Sequence, residues 1–323
     1  MSTTWLSGAR GVARNIASLV ISLVVASLIT FVLLRLLPGD SAGANLGVGA
    51  TAQQLEQLRH ELGTNQPILT QYVHWVSDLL SGQSESFISR STFGELISHR
   101  LTITVPLSLL AFLLALLIST PLGILAATHR TSPVGLAISG LSQLGLAVPV
   151  FWVGIILVWI FALNFGVLPA GNFPRTGWAD PIAALRSLAL PILTIAIAMS
   201  ATMVRFIRSA VIDVLDADYM RTARSLGYSR LRALLRHGLR NAAVPVIAIC
   251  GIELGTSLLG AVVIENVFAL PGLGQLLLSS VSARDLPVIQ NLVMLLTAVV
   301  LILNSLVDVA QKALDPRLKG VSA

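Results

Sequence analysis

The chain has 323 residues, of which 55% are hydrophobic and only 11% charged, and its mean hydropathy is +0.84. Soluble domains carry about 25% charged residues, so a single water-soluble core is excluded and a polytopic membrane protein is expected. The formal net charge of +6 suits the loops of such a protein, and the lone Cys250, set in an apolar segment, excludes an internal disulfide.

Six apolar segments are long enough to cross a bilayer, which takes roughly 20 residues of helix. They lie at residues 16–37, 103–128, 134–163, 188–206, 244–267 and 288–309. The first follows Arg10 and Arg14 and precedes Ala42-Gly43-Ala44, as a signal peptide would. Its uncharged run from Ile16 to Leu34 exceeds the roughly 7–15 residues of a signal h-region, so a retained helix is expected. Arg35, Arg59, Arg90, Arg100, Arg175, Arg186 and Arg284 fall on one side of the membrane. The other side, which includes both termini, holds twice as many cations, and this excess places both termini in the cytoplasm.

The longest stretch outside the membrane, residues 38–100, is expected to be an extracytoplasmic helical insertion. Thr51 and Gln54 form a capping box. Leu55, Leu58 and Leu62 then line one helix face, which Gly63 ends. Pro67 starts a second amphipathic helix with Ile68, Tyr72, Trp75, Val76 and Leu79 on its apolar side. Two roles stand side by side for this pair: a lid without specificity, or a docking surface for a soluble partner. Leu80-Ser81-Gly82-Gln83 resembles an ATPase signature loop, but it lacks one glycine and lies on the wrong side of the membrane for a nucleotide site.

Pro106, Pro121, Pro149, Pro191 and Pro245 fall within or at the ends of the spans. Each frees a backbone carbonyl, which either accompanies an ordinary kink or helps to shape a cavity or hinge. In the fifth span Gly251 and Gly255 form G-x-x-x-G, with Gly260 beyond, a spacing for close helix approach within one subunit or between two.

The loop at residues 207–243 departs most from the apolar background. Asp216 and Asp218 precede a helical run, where acidic residues favour the positive end of the dipole. Tyr219, Ala223 and Leu226 share one face, Arg221 and Arg224 lie off it, and Gly227 supplies a left-handed cap. Ser229 caps a second helix with Leu231, Leu234, Leu235 and Leu239 as its apolar stripe. The small face at Ala223 and Thr222, flanked by arginine, suits a groove on a protein partner. The same basic loop would also suit anionic lipid headgroups. Nucleic acid is set aside, because aromatic interleaving is lacking and the bilayer accounts for the charge.

Arg221-Thr222-Ala223-Arg224-Ser225-Leu226-Gly227, followed by residues Leu235 to Ala242 and Pro245, resembles the EAA loop of ABC-importer permeases. The variant is similar to that of the first-permease type in the dipeptide/oligopeptide/nickel branch. Further strings agree: Leu37-Pro38-Gly39-Asp40; Glu61-Leu62-Gly63 with Gln66-Pro67; Leu168-Pro169-Ala170-Gly171; Glu265-Asn266-Val267-Phe268 with Pro271-Gly272-Leu273-Gly274; and Ala313-Leu314-Asp315-Pro316-Arg317. Arg221 stands where the general motif has glutamate, and the region from Gln83 to Phe87 departs from the expected string.

The resemblance implies a type I importer permease fold with six membrane helices, in the bacterial inner membrane. It divides the chain into residues 1–37, the insertion 38–100, a core 101–312 and a tail 313–323. It also implies that Tyr219, Arg221, Thr222, Ala223, Arg224 and Gly227 form a coupling helix seated on a cytoplasmic ATPase. The implied partners are a second homologous permease, making a heterodimer, two ABC ATPase subunits, an extracytoplasmic substrate-binding protein, and lipid. ATP and Mg would be bound by the ATPases, leaving this chain without a cofactor and not itself an enzyme. The cargo implied is di- or oligopeptide, with nickel, haem or glutathione as alternatives in the same family.

The residues are consistent with that division of labour. A P-loop needs a lysine in a glycine-rich context, and the only lysines, Lys312 and Lys319, lack one. All five histidines lie outside the spans and are too scattered for a metal site or a buried Ser–His pair. An ion-coupled secondary transporter, the alternative of another class, would use ionisable groups at mid-membrane. Glu253 is the clearest such group, either pairing with a neighbouring helix or lining the path. Glu265, Phe268, Pro271 and Gly272 complete the candidate gate.

Overall fold

The computed structural model describes residues 3–36, 51–61 and 65–314. Among them the chain is helical, with a single isolated β-bridge between Glu85 and Thr92. The strings at Leu37–Asp40, Leu62-Gly63 and Asp315–Arg317 lie outside the described residues. Five helical segments are long and apolar enough to cross a membrane, and a bent pair, taken as one span, makes six.

The chain divides into two compact units. The first comprises residues 1–103 and 271–302. It holds α1 (Thr3–Leu36), α2 (Ala52–Glu61), α3 (Ile68–Ser81), the start of α4 (Phe93–Thr128), α11 (Leu273–Ala283) and most of α12 (Leu286–Leu314). The capping box that starts α2 is present: the Gln54 amide donates to Thr51 Oγ1 at 3.3 Å, and the Thr51 amide donates to Gln54 Oε1 at 3.0 Å. On α3, Trp75 is buried and Tyr72, Val76 and Leu79 are half-buried, as the apolar stripe requires. Ile68, at the first turn, is exposed instead. Gly82 adopts a left-handed φ of 74° and its amide bonds back to the Asp78 carbonyl. The Leu80–Gln83 string is therefore a helix C-cap, which accounts for its glycine without a nucleotide.

A buried polar cluster fixes the segment after α3. Asp285 accepts a 2.5 Å hydrogen bond from Ser86 Oγ and another from the Phe87 amide at 3.1 Å. Asn291 accepts from Trp75 Nε1 at 2.8 Å and donates to Ser84 Oγ at 2.6 Å. Buried polar atoms without partners cost about 1–3 kcal/mol each, so this pairing holds residues 84–87 where the family string is not kept.

The second unit comprises residues 104–270 and 303–323. Its centre is α7 (Pro181–Leu215), which packs against α5 (Pro133–Ala147), α6 (Val150–Leu157) and α10 (Leu239–Val267). Half of the apolar stretch of α7 is buried. Asp180 caps it by accepting from the Ala183 amide at 3.0 Å, with Pro181 at the first helical position. Gly251 resolves one of the open choices, because a Cβ there would collide with the Val307 side chain of α12. The close approach it permits is made within this chain.

The third apolar segment is not one helix. α5 and α6, with the π-helical turn Val158–Asn164 that continues α6, meet at 102° across Val148 and Pro149. Proline lacks the amide that would continue the helix, and the residue before it is driven to extended backbone; Val148 has ψ 123°. Pro106, Pro121, Pro191 and Pro245 by contrast sit inside unbroken helical segments.

Candidate functional site

The arginine-rich loop folds as an elbow at the end of α7. α8 (Asp218–Ser225) is followed by a turn at Gly227, then α9 (Arg230–Ala233), a π-helical turn at Leu234–Gly238, and α10. Gly227 has φ 90°, and its amide donates to the Arg224 carbonyl at 3.0 Å. The Tyr228 amide reaches back to Ala223 at 3.3 Å. Ser229 Oγ accepts from the Arg232 amide at 3.4 Å, so the cap on the second limb is where the sequence puts it.

The elbow is tied down at several points. Arg130, in the turn after α4, pairs with Asp216 at 2.7 Å. That hydrogen bond holds the exposed Asp216 carboxyl below the usual carboxylate range. Asp216 thus serves the end of α7 rather than the start of α8. Arg230 Nη1 donates to the Thr128 carbonyl at 3.1 Å, and Asn241 Nδ2 donates to the Tyr219 hydroxyl at 3.0 Å. Tyr228 is flanked by His237, edge-on at 5.6 Å, and by the Arg236 guanidinium at 5.7 Å. Gly238 makes the crossing possible: a Cβ there would meet Val214 at 2.6 Å and Leu234 at 2.9 Å, with Met220 just beyond.

The faces differ from those read in the sequence. Met220 and Ala223 are the buried side of α8, while Tyr219 is 41% and Leu226 74% exposed. Ala223 is turned into the chain and is not the small outward face expected beside Thr222. On the second limb Ala233, Leu234 and Gly238 are buried, and Leu231, Leu235 and Leu239 are exposed. The outward surface is therefore Arg221, Thr222, Arg224, Ser225 and Leu226. Arg221, Arg224 and Arg230 with Ser225, Gly227, Tyr228 and Ser229 line an open pocket beside it. Arg221 makes only a loose 3.5 Å pair with Asp218, one turn earlier. Met220, Arg130 and Gly238 are the supports that the sequence reading did not assign.

The residues expected at a gate do not form one cluster. Glu253 is half-buried in α10, and its carboxylate accepts from Thr256 at 3.4 Å within the same helix rather than from a neighbouring one. Glu265 lies twelve residues further on, about 18 Å along the axis. It is fully buried, and its Oε1 accepts from Thr104 Oγ1 at 2.5 Å. Its backbone carbonyl accepts from the Leu270 amide at 2.8 Å, and the Ala269 amide donates to Asn266 at 3.4 Å. This is the two-bond left-handed helix ending, with Ala269 at φ 50°.

Phe268 is 1% exposed. Gly154 lies against its ring, where a Cβ would come within 3.1 Å, and a Cβ on Gly171 would collide with its carbonyl. Two strings remote in sequence, Leu168–Gly171 and Glu265–Phe268, therefore meet. Pro271 is exposed, and Gly272 is the buried N-cap of α11.

Comparison with known proteins places this architecture. Residues 119–320 match the model of the binding-protein-dependent transport system inner membrane component, and residues 9–108 match that of its N-terminal region. The chain is 37% identical over 308 residues to a peptide transport system permease protein of Brucella suis biovar 1 (strain 1330), covering 95% of this chain and 98% of that one. It is 35% identical over 309 residues to a peptide ABC transporter permease of Sinorhizobium fredii, with the same coverage. The glutathione transport system permease protein GsiC of Salmonella typhimurium is 37% identical over 310 residues, again covering 95% and 98%.

Among solved structures, the MetNI methionine ABC transporter in its inward-facing form superposes with a TM-score of 0.54 at 15% identity. The match covers 68% of this chain and 97% of that one. An amino acid ABC transporter reaches 0.52 at 18% identity, over 68% and 95%. These two share the type I permease fold. Family membership displaces the ion-coupled alternative. The chain belongs to the binding-protein-dependent transport system inner membrane components, and it is a multi-pass permease subunit of an ABC importer in the inner membrane.

Proposed function

We propose that the chain forms, with a second and homologous permease, the membrane path of an ATP-driven importer for short peptides. The observation that carries the cargo is the nearly full-length similarity to permeases named for peptide and for glutathione transport. Glutathione is itself a tripeptide, so a peptide backbone is the chemistry the two names share. An extracytoplasmic binding protein delivers the peptide, and two cytoplasmic ATPases hold the ATP and Mg.

The coupling role falls to the elbow at residues 207–243. Arg221, Thr222, Arg224 and Leu226 present a basic rim with one apolar knob, suited to a groove with acidic edges on the ATPase. Tyr219, Ala223 and Gly227 act from behind that rim, fixing its height and bend. A lever must be stiff to transmit force, and the ties to Arg130, Thr128 and Asn241 supply stiffness. Glu265 and Phe268 brace the end of α10, Pro271 and Gly272 are the remaining gate candidates, and Glu253 serves α10 locally.

The test is the purified complex in proteoliposomes. Native co-elution of an ATPase and a second permease, with ATP-dependent uptake of a tripeptide, is the expected result. Leu226→Asp combined with Arg224→Glu abolishes uptake and stimulated ATP hydrolysis while leaving the chain inserted. Uptake that persists in this variant removes the coupling role, and uptake of nickel or haem in place of peptide removes the cargo.

A further inference from the structure

Helix α3 carries more apolar surface than its protein neighbours cover. Tyr72 and Trp75 face α1 and the Asn291 cluster, and Leu79 is half-buried. Leu69, Val73, Val76 and Leu80 occupy an adjoining sector of about 60° at 100° per residue. Of these, Leu69 is 74%, Val73 55% and Leu80 82% exposed. Thr70, His74, Ser77, Asp78 and Ser81 fill the opposite, polar sector.

The contacts of α3 with α1 fix its depth. The apolar run of α1 is bounded by Arg14 and Arg35, a separation of about 31 Å at 1.5 Å per residue. That matches the roughly 30 Å of a bilayer's hydrocarbon core, so Arg35 marks the interface at the far end of α1. Gln71 of α3 accepts a hydrogen bond from Arg35, which puts α3 at that interface. Phe31, about 6 Å deeper along α1, stacks on Trp75 at 5.9 Å and meets Tyr72 edge-on at 5.3 Å. The Tyr72 hydroxyl bonds to Ser27 Oγ at 2.8 Å, about 12 Å below Arg35. A helix whose side chains reach that far down a spanning helix is not suspended in water above the membrane.

We propose that α3 is an interfacial helix, with Leu69, Val73, Val76 and Leu80 immersed among the acyl chains of the leaflet next to Arg35. The occupant is lipid because α1, which α3 packs against, likewise exposes apolar side chains, Val25, Leu28, Ile29, Val32 and Leu33, along a run long enough to span the bilayer. A polar third opposite an apolar arc is the pattern of a helix lying in a membrane–water boundary. The helix is neither a lid over the pathway nor a platform for a soluble partner. It anchors the polar cluster at Ser84, Ser86, Asp285 and Asn291 to the bilayer surface. The inference requires only that α1 span the membrane, and it stands whatever the cargo is.

The full-length chain, assembled with its partner subunits in vesicles of phosphatidylethanolamine and phosphatidylglycerol, provides the test. In a Cys250→Ala background, nitroxide labels are placed by Leu69→Cys, Val73→Cys and Leu80→Cys, with Leu33→Cys as the lipid reference and His74→Cys and Ser81→Cys as the polar reference. The expected result is relaxation dominated by oxygen over a water-soluble nickel chelate at 69, 73 and 80, matching position 33 and reversed at 74 and 81. Access by the chelate at 69, 73 and 80 overturns the proposal in favour of water, and access by neither reagent overturns it in favour of a protein partner. A carbene reagent dissolved in the lipid is applied to the unsubstituted protein as the independent measurement. It should mark Leu69, Val73 and Leu80, and an unmarked α3 overturns the proposal without any substitution.

Discussion

Glu265 is closed off from solvent, and its Oε1 takes a 2.5 Å hydrogen bond from the hydroxyl of Thr104. The bond joins α4 to the last turn of α10 across 161 positions of sequence. Removing the donor leaves a buried carboxyl with one partner fewer, which costs about 1–3 kcal/mol. Thr104→Val should therefore lower the melting temperature of the detergent-purified protein, and Thr104→Ser should restore it. An unchanged melting temperature in Thr104→Val would show that the bond contributes nothing.

At the same helix end, Ala269 holds φ 50°, a region where a Cβ crowds the following carbonyl at a cost of about 1–2 kcal/mol. Glycine carries no such penalty. Ala269→Gly should raise stability by up to about 1 kcal/mol, after the extra chain entropy that glycine loses on folding. Denaturant melts of the two proteins measure the sign directly, and a clear loss would mean that the Ala269 methyl group makes contacts worth more than the strain.

Gly227 separates two substitutions that a purely local view would equate. Its φ is 90°, yet the space where a Cβ would stand is empty. Gly227→Ala meets only the backbone strain of about 1–2 kcal/mol and should leave uptake measurable. Proline fixes φ near −65° and removes the amide that bonds to Arg224. Gly227→Pro should abolish uptake and stimulated ATPase activity while the protein still inserts. Equal activity in the two variants would refute the bent-lever role.

Gly238 presents the opposite situation, with unremarkable φ but no room. A Cβ there overlaps Val214 and Leu234, and overpacking of this kind costs about 1–3 kcal/mol. Gly238→Ala should lift α8 from its seat and lower uptake more than it lowers expression. Protease sensitivity of the Asp218–Ser225 segment provides the readout, and an unchanged digestion pattern would contradict the packing.

The Arg130–Asp216 pair predicts a pH dependence with a definite sign. The arginine lowers the carboxyl's folded pKa, first through the hydrogen bond and then through charge. Its contribution is therefore complete above the carboxyl's unfolded pKa and disappears as pH falls through the lower folded value. Melting temperatures of the wild type and Asp216→Asn should differ at neutral pH and converge in acid. The pair is solvent-exposed, so the difference should be small and should shrink with salt. A gap that widens in acid would reverse the assignment.

Much of this architecture was legible in apolar periodicity and in caps. The Thr51–Gln54 box, the left-handed Gly227 and the Ser229 cap are local chemistry, and local chemistry survives folding. The elbow's inward face was not legible, for two reasons. Reading Leu231, Leu234, Leu235 and Leu239 as one stripe assumes 3.6 residues per turn throughout. The π-helical turn at Leu234–Gly238 breaks that period before Leu239, Leu231 and Leu235 lie one turn apart on the exposed side, and only Leu234 of the four is buried. Met220, not Tyr219, faces inward because Val214 and Gly238 lie beneath it, and long-range seating of that kind has no period. The same limit hid Trp75 and Asn291, which meet across 216 positions. Pro149 was visible as a punctuation mark, but its 102° corner was not, since proline permits a kink of any size.

That corner carries a requirement of its own. The limbs on either side of it hold 15 residues each, Pro133–Ala147 and Val150–Asn164, or about 22 Å of helix apiece, too short for either to traverse a hydrocarbon layer of about 30 Å unaided. The backbone at Val148 has left the helical ladder, and oil would strand peptide groups freed in this way at several kcal/mol apiece. Wherever that corner meets the bilayer, its surroundings must be wet or proteinaceous.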